Sequence, residues 1–238
     1  PELKRKKKVY KMEFFISVFL ICVLIFAYIY AEYNRNKDEQ VSQEILADFE
    51  IPEQDTTVAK NNVLVVLLDD VPQERESEID NKVNQQEIRV QNQVTQNTSN
   101  GYQYRTIATI QIPKINLTYP VIDGLTDSTA ETEELLKISP TKFWGPNPNE
   151  VGNFCIVGHN YRNTRFFSKV PTLDTGDIVQ ITDLSGKMIQ YKVYNKYQVD
   201  PTDVSCTTQL TNGKREITLI TCTDDSKHRV VVKAREVK

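Results

Sequence analysis

Hydrophobic and polar positions alternate in three different ways along this chain, and the changes mark its organisation. Residues 14–31 read FFISVFLICVLIFAYIYA, an apolar run without a charge, a glycine or a proline. A run of that length spans a bilayer as a helix of ~17 to 25 residues. It has no polar face, which excludes a helix lying along a soluble surface. From residue 32 to about 101 the pattern dissolves into Glu, Asp, Asn and Gln with few aromatics, the composition of a poorly packed stalk. Two pieces of the stalk stand out. Residues 37–49 place Val41, Ile45, Leu46 and Phe49 on one face of a short helix. Residues 62–68 (NVLVVLL) read either as an element that docks on the folded domain or as a sticky stretch of linker.

From residue 102 the period shortens to two. Residues 104–112 alternate and lead through Pro113-Lys114 into 115–117, and residues 119–122 form a second strand ended by Asp123-Gly124. Residues 129–138 are the best helix candidate of the domain. Residues 154–159 are almost wholly apolar, which predicts a strand buried on both faces. A helical turn is expected at 166–170, a hairpin from 177–184 and 187–199 across Ser185-Gly186, and a loop with one helical turn at 201–211. Residues 215–222 and 228–232 close the chain as a second hairpin. Many short strands punctuated by turn signals predict an all-β barrel or sandwich with short helices.

Charge refines this picture at the amino terminus. The net charge of −3 gives no reason to expect nucleic acid as a partner. The basic residues cluster instead at Lys4-Arg5-Lys6-Lys7-Lys8 and Lys11, directly before the apolar run, and Glu32 opens a mixed polar stretch after it. The positive-inside rule then puts the amino terminus in the cytoplasm and everything after Tyr33 outside. A cleaved signal peptide is the competing reading, but Ala27 and Ala31 are four apart with bulky residues between them, not a small-x-small site. A retained single-pass anchor is expected, with Tyr28, Tyr30 and Tyr33 at its outer interface.

The candidate chemistry lies in the last hairpin. Cys222 ends a strand rich in β-branched residues, and the return strand brings Arg229 back towards it. A thiol beside a fixed cation favours the thiolate, the form that attacks carbonyls; a buried structural cysteine is the alternative. Of the four cysteines, Cys22 lies in the apolar run, Cys155 inside the apolar strand, and Cys206 in a polar loop. There are two histidines. His159 ends the buried strand after Gly158, where a backbone can approach a substrate closely. His228 neighbours Arg229, so the two should face opposite ways, with His228 at the surface. Two histidines without a C-x-x-C spacing predict no zinc site, and nothing in the chain points to a cofactor.

Thr218-Leu219-Ile220-Thr221-Cys222 followed by Arg229 resembles the TLxTC…R signature of the sortases, membrane-anchored cysteine transpeptidases of Gram-positive bacteria. Gly152-Asn153-Phe154-Cys155-Ile156-Val157-Gly158-His159-Asn160 is similar to the strand that carries the family's histidine, and the order His, Cys, Arg also fits. The start at Ile112-Pro113-Lys114-Ile115-Asn116-Leu117 and the turn Leu173-Asp174-Thr175-Gly176-Asp177 extend the resemblance over residues 102–238. It implies a closed eight-stranded β-barrel, preceded here by a cytoplasmic flank (1–13), a transmembrane anchor (14–31) and an extracellular stalk (32–101). It also implies Cys222 as nucleophile, His159 as acid and base, and Arg229 as oxyanion donor, with Thr221 a lesser contributor. The implied partners are proteins bearing an LPxTG-like sorting signal, cleaved between Thr and Gly, and an acceptor amine from the cell wall or a pilin. Two features depart from the pattern. The loop from Cys222 to Arg229 is shorter than in many sortases, and no second apolar span follows before Lys238, unlike pilin polymerases with a carboxy-terminal anchor. Residues 68–72 (LDDVP) hold the acid and proline of a sortase lid without its aromatic partner. A thiol peptidase releasing product to water, or an anchored surface domain without catalysis, are the alternatives.

Overall fold

The computed structural model describes residues 2–48, 95–98, 100–126 and 128–237. It divides into two units, Pro1–Val41 and Ser42–Lys238. The apolar run and its basic flank belong to one helix, α1 (Glu2–Asp48). Its apolar side chains stand open, Phe14 at 64% and Phe26 at 72%, and it is long and apolar enough to cross a membrane. The short helix expected at 37–49 is no separate element: nothing between residues 14 and 48 is Gly or Pro, so the hydrogen-bond ladder continues to Asp48. Ile45, on the expected apolar face, is buried. Phe49, the apolar stretch 62–68 and the lid-like 69–72 lie outside the described residues.

Among the described residues the second unit has nine strands: β1 (Gln96–Asn97), β2 (Gln103–Ile112), β3 (Leu117–Gly124), β4 (Thr141–Trp144), β5 (Gly152–Val157), β6 (Ile178–Asp183), β7 (Met188–Val199), β8 (Arg215–Cys222) and β9 (Arg229–Glu236). They neighbour one another in the order β1-β2-β3-β4-β5-β8-β9-β7-β6, and β2 pairs with β6 as well. That last pairing closes β2 to β9 into an eight-stranded mixed barrel, with β1 a two-residue addition to β2. Closure removes the open edges that would otherwise invite another chain. The helix expected at 129–138 is α2 (Thr129–Leu135), capped by the Ser128 hydroxyl on the Glu131 N–H. Its last residues stop short of Pro140, which cannot continue a helix.

Strand parity sorts the side chains. Ala108, Ile110 and Ile112 of β2, Phe154 and Ile156 of β5, Tyr191 and Val193 of β7, Ile217 and Leu219 of β8, and Val230, Val232 and Ala234 of β9 form one buried cluster inside the barrel. The alternate positions of β5, β8 and β9 face outwards. They are covered too, by the 200–214 connection: Cys206 packs on Ile220 and Val231, with Val157, Tyr197 and Val199 around them. This outer layer explains why the apolar strand at 152–157 carries no polar face: β5 is buried on both sides.

The outer layer is fastened by buried polar groups. Asn153, fully buried, donates to the Cys206 carbonyl at 3.0 Å and the Thr208 carbonyl at 3.1 Å, and accepts from the Thr218 hydroxyl at 2.7 Å. Gln209 completes the clasp on the Asn153 backbone, accepting its N–H and donating to its carbonyl, both at 2.9 Å. Lys233 buries its stem and donates to the Cys206 carbonyl at 3.0 Å. Gly145 has φ +95, and a side chain there would fall on the Asn153 carbonyl, so the β4–β5 turn needs glycine to close against the same clasp.

Candidate active site

Register brings the three candidate residues into one row. β5 runs parallel to β8 with Val157 opposite Ile220, and β9 runs antiparallel to β8 with Arg229 opposite Cys222. Two residues beyond Val157, His159 comes level with Cys222, so imidazole, thiol and guanidinium belong to three adjacent strands. Parity puts all three on the outer side: Asn153, Cys155 and Val157 lead to His159, while Thr218 and Ile220 lead to Cys222.

His159 lies past the end of β5, and specific bonds carry the alignment to it. The Gly158 N–H donates to the Ile220 carbonyl at 3.1 Å, continuing the ladder. The Thr221 hydroxyl donates to the Gly158 carbonyl at 2.8 Å. Asn160 donates through Nδ2 to the Cys222 carbonyl at 2.9 Å and to Asp224 at 3.0 Å. The sequence offered Thr221 as a lesser contributor to chemistry; its hydroxyl is spent on holding β5 against β8. Gly158 likewise has a packing reason rather than the expected substrate approach, since an added Cβ would sit 2.6 Å from the Phe167 ring. Asn160 went unnoticed in the sequence, because nothing local marks an asparagine whose partner is 62 residues away.

The surroundings give each group a distinct character. The His159 ring packs against Tyr161 at 5.1 Å, which in turn meets Phe166 at 5.5 Å. Burial lowers the ring's pKa below the ordinary 6.5; the Glu133 carboxylate opposes that shift and Lys137 adds to it. Cys222 and Arg229 are partly exposed. Cys155, fully buried, is pushed up to about 12 by burial, reinforced by Cys206 nearby. Burial raises Cys206 as well. All four cysteines are free, and Cys206 lies buried in a 3-10 turn rather than in an open polar loop. His228 precedes β9 and is exposed at the surface as expected, 3.7 Å from Asp200.

A cavity of about 810 Å³ reaches the row at its guanidinium end. Arg229 lines it, followed by Val157, Val199 and Ile220 of the outer layer, Val204 and Gln209 of the 200–214 connection, and Thr129, Glu133 and Leu136 of the α2 region. His159 and Cys222 are not in its lining; they border the outer layer whose side chains form its floor. Phe143, Trp144 and Val151 give it an exposed apolar rim. Among the described residues no cluster of His, Cys, Asp and Glu could hold a metal ion.

The fold has counterparts among known proteins. The sortase domain model matches residues 110–237, more than half of the chain. The chain belongs to the sortase family. Members of this family are cysteine transpeptidases, and the fold is that of a sortase barrel. The sortase D5 transpeptidase of Clostridium perfringens superposes with a TM-score of 0.53 at 25% identity, covering 69% of this chain and 94% of that one. Sortase C-1 of Actinomyces oris gives 0.48 at 25% identity over 55% and 73% of the two chains. A lid mutant of sortase A from Corynebacterium diphtheriae gives 0.49 at 27% over 57% and 72%. No curated protein matches the sortase chain by sequence.

Proposed function

We propose that this sortase cleaves an LPxTG-like sorting signal between Thr and Gly and joins the new carboxyl end to an amine of the cell wall or of a pilin. Cys222 is the nucleophile, His159 the acid and then the base, and Arg229 the donor to the oxyanion. The observation that supports this reading best is the row of the three groups, level across β5, β8 and β9, with Arg229 in the lining of a cavity with an apolar rim.

In the first half-reaction the Cys222 thiolate adds to the Thr carbonyl, and Arg229 donates to the oxygen that gains charge. The C–N bond then breaks as the His159 imidazolium gives its proton to the departing glycine nitrogen. A thioester of the substrate with Cys222 and a neutral imidazole remain. In the second half an amine nitrogen adds to that thioester, His159 takes the proton it sheds, and the C–S bond breaks to return the thiolate. Because attack needs a thiolate beside an imidazolium, a ring made less basic by burial leaves only a fraction of the enzyme in the starting state.

The test uses the full chain in detergent micelles with a fluorescent LPxTG peptide and triglycine. The unsubstituted chain should yield the ligated peptide and an acyl-enzyme of matching mass. Cys222→Ala should yield neither. Ligation by the alanine variant would remove Cys222 from the mechanism.

A further inference from the structure

Four carboxylates line the cavity, and three are committed elsewhere. Asp123 is buried beside Arg105 at 3.4 Å and Lys142 at 3.7 Å. Glu131 is buried and accepts from the N–H groups of Leu125 and Thr126 at 3.1 and 3.0 Å. Asp203 accepts the Ser205 N–H at 2.8 Å. Glu133 is different. It is exposed on α2, and among the described residues it has no ion-pair partner; its neighbour Glu134 takes Lys137 at 2.7 Å.

Position makes this carboxylate useful. β4, which follows α2, pairs with β5, the strand that carries His159. Glu133 shares the cavity lining with Arg229, which lies opposite Cys222 in the strand register, and its charge acts on the His159 ring. A primary amine arriving from solvent is mostly an ammonium at neutral pH, and it must reach the thioester beside the imidazole. We propose that Glu133 receives the acceptor's ammonium group and so directs the acyl-enzyme to amines rather than to water. This rests on the transpeptidase reading above. The bound ammonium gives one proton to bulk water to become nucleophilic; its nitrogen then forms the C–N bond, a second proton passes to His159, and sulfur leaves as thiolate.

The experiment compares two acceptors on the full chain in micelles: triglycine, whose amine is charged at neutral pH, and hydroxylamine, which is not. Glu133→Gln should raise the KM for triglycine roughly 1.5-fold to fivefold relative to that for hydroxylamine, the range of an exposed charge pair. Glu133→Asp should recover part of that ratio. Glu134→Gln, outside the cavity, should leave it at the unsubstituted value. In the unsubstituted chain the preference for triglycine should shrink as salt rises. A ratio unchanged in Glu133→Gln, or the two KM values rising together because only His159 has been disturbed, overturns the proposal while leaving the acyl-enzyme intact. Failure to form a Cys222-dependent acyl-enzyme at all would instead overturn the reading on which the proposal rests.

Discussion

Within the row, burial changes the chemistry of His159. Burial against Tyr161 lowers its pKa below 6.5, so the acid limb of acylation against pH should lie below that value. Tyr161→Ala, which opens the ring to water, should move the limb upward towards 6.5, measured as kcat/KM for peptide cleavage from pH 5 to 8. The same shift has a consequence for stability. The unfolded chain takes up the proton at higher pH than the folded one, so the contribution is present above about 6.5 and is lost as pH falls through the lower folded value. Arg229 acts at the other end of the row. Arg229→Ala should lower the acylation rate by about 10²- to 10³-fold, the usual loss for an oxyanion donor. Arg229→Lys should recover only part of it, because an ammonium cannot present two donors in fixed directions. At this scale the sequence was legible where chemistry and parity coincide. Cys222 and Arg229 lie opposite each other because a hairpin with a short loop leaves them no other register. Asn160, Gln209 and Glu133 were illegible, since each acquires its meaning from a strand or helix distant along the chain.

Among the elements, the 200–214 connection is the one least visible in the pattern and most involved in the site. It reads as a polar loop, yet it lays Cys206 on Ile220 and Val231 and supplies Val204 and Gln209 to the cavity. Its attachment depends on Asn153, a single buried amide with three hydrogen bonds to side chain and backbone. Asn153→Ala takes the partner from the Thr208 carbonyl and the Thr218 hydroxyl in a dry layer, where each unmet group costs about 1 to 3 kcal/mol, and leaves the Cys206 carbonyl to Lys233 alone. Thermal unfolding should therefore show a loss of about 2 to 5 kcal/mol. Hydrogen exchange should quicken first in residues 203–211, ahead of the barrel strands. The strands themselves were legible, because alternation over β2 and β7 reports an inside and an outside. β5 was legible as doubly buried but not in what covers it: an apolar run says that both faces are dry and nothing about the cover.

At the scale of the whole molecule, two physical regimes share one chain: a helix whose apolar side chains are open, and a closed barrel whose apolar side chains are not. Phe14, Phe26 and their neighbours would be unstable against water over this length, and hydrocarbon is the solvent that suits them. The apolar run thus fixed the existence of α1 from sequence, and the spacing of Val41, Ile45 and Leu46 marked helix again further on, while the unbroken join through residues 32–36 was missed because that polar stretch has no hydrophobic period to reveal it. Orientation rests on a separate argument, the basic cluster at residues 4–8 and Lys11, which favours the cytoplasmic side. We expect a membrane-impermeant thiol reagent, applied to intact cells making the full chain, to modify Cys222 and to leave a cysteine introduced as Lys6→Cys untouched until the cells are opened. Cys155 and Cys206, buried and with thiols raised by burial, should react slowly in both conditions and serve as internal references. Labelling of position 6 from outside, with Cys222 protected, would reverse the orientation. The row of His159, Cys222 and Arg229 would then face the cytoplasm, where no exported sorting signal or wall amine could reach it.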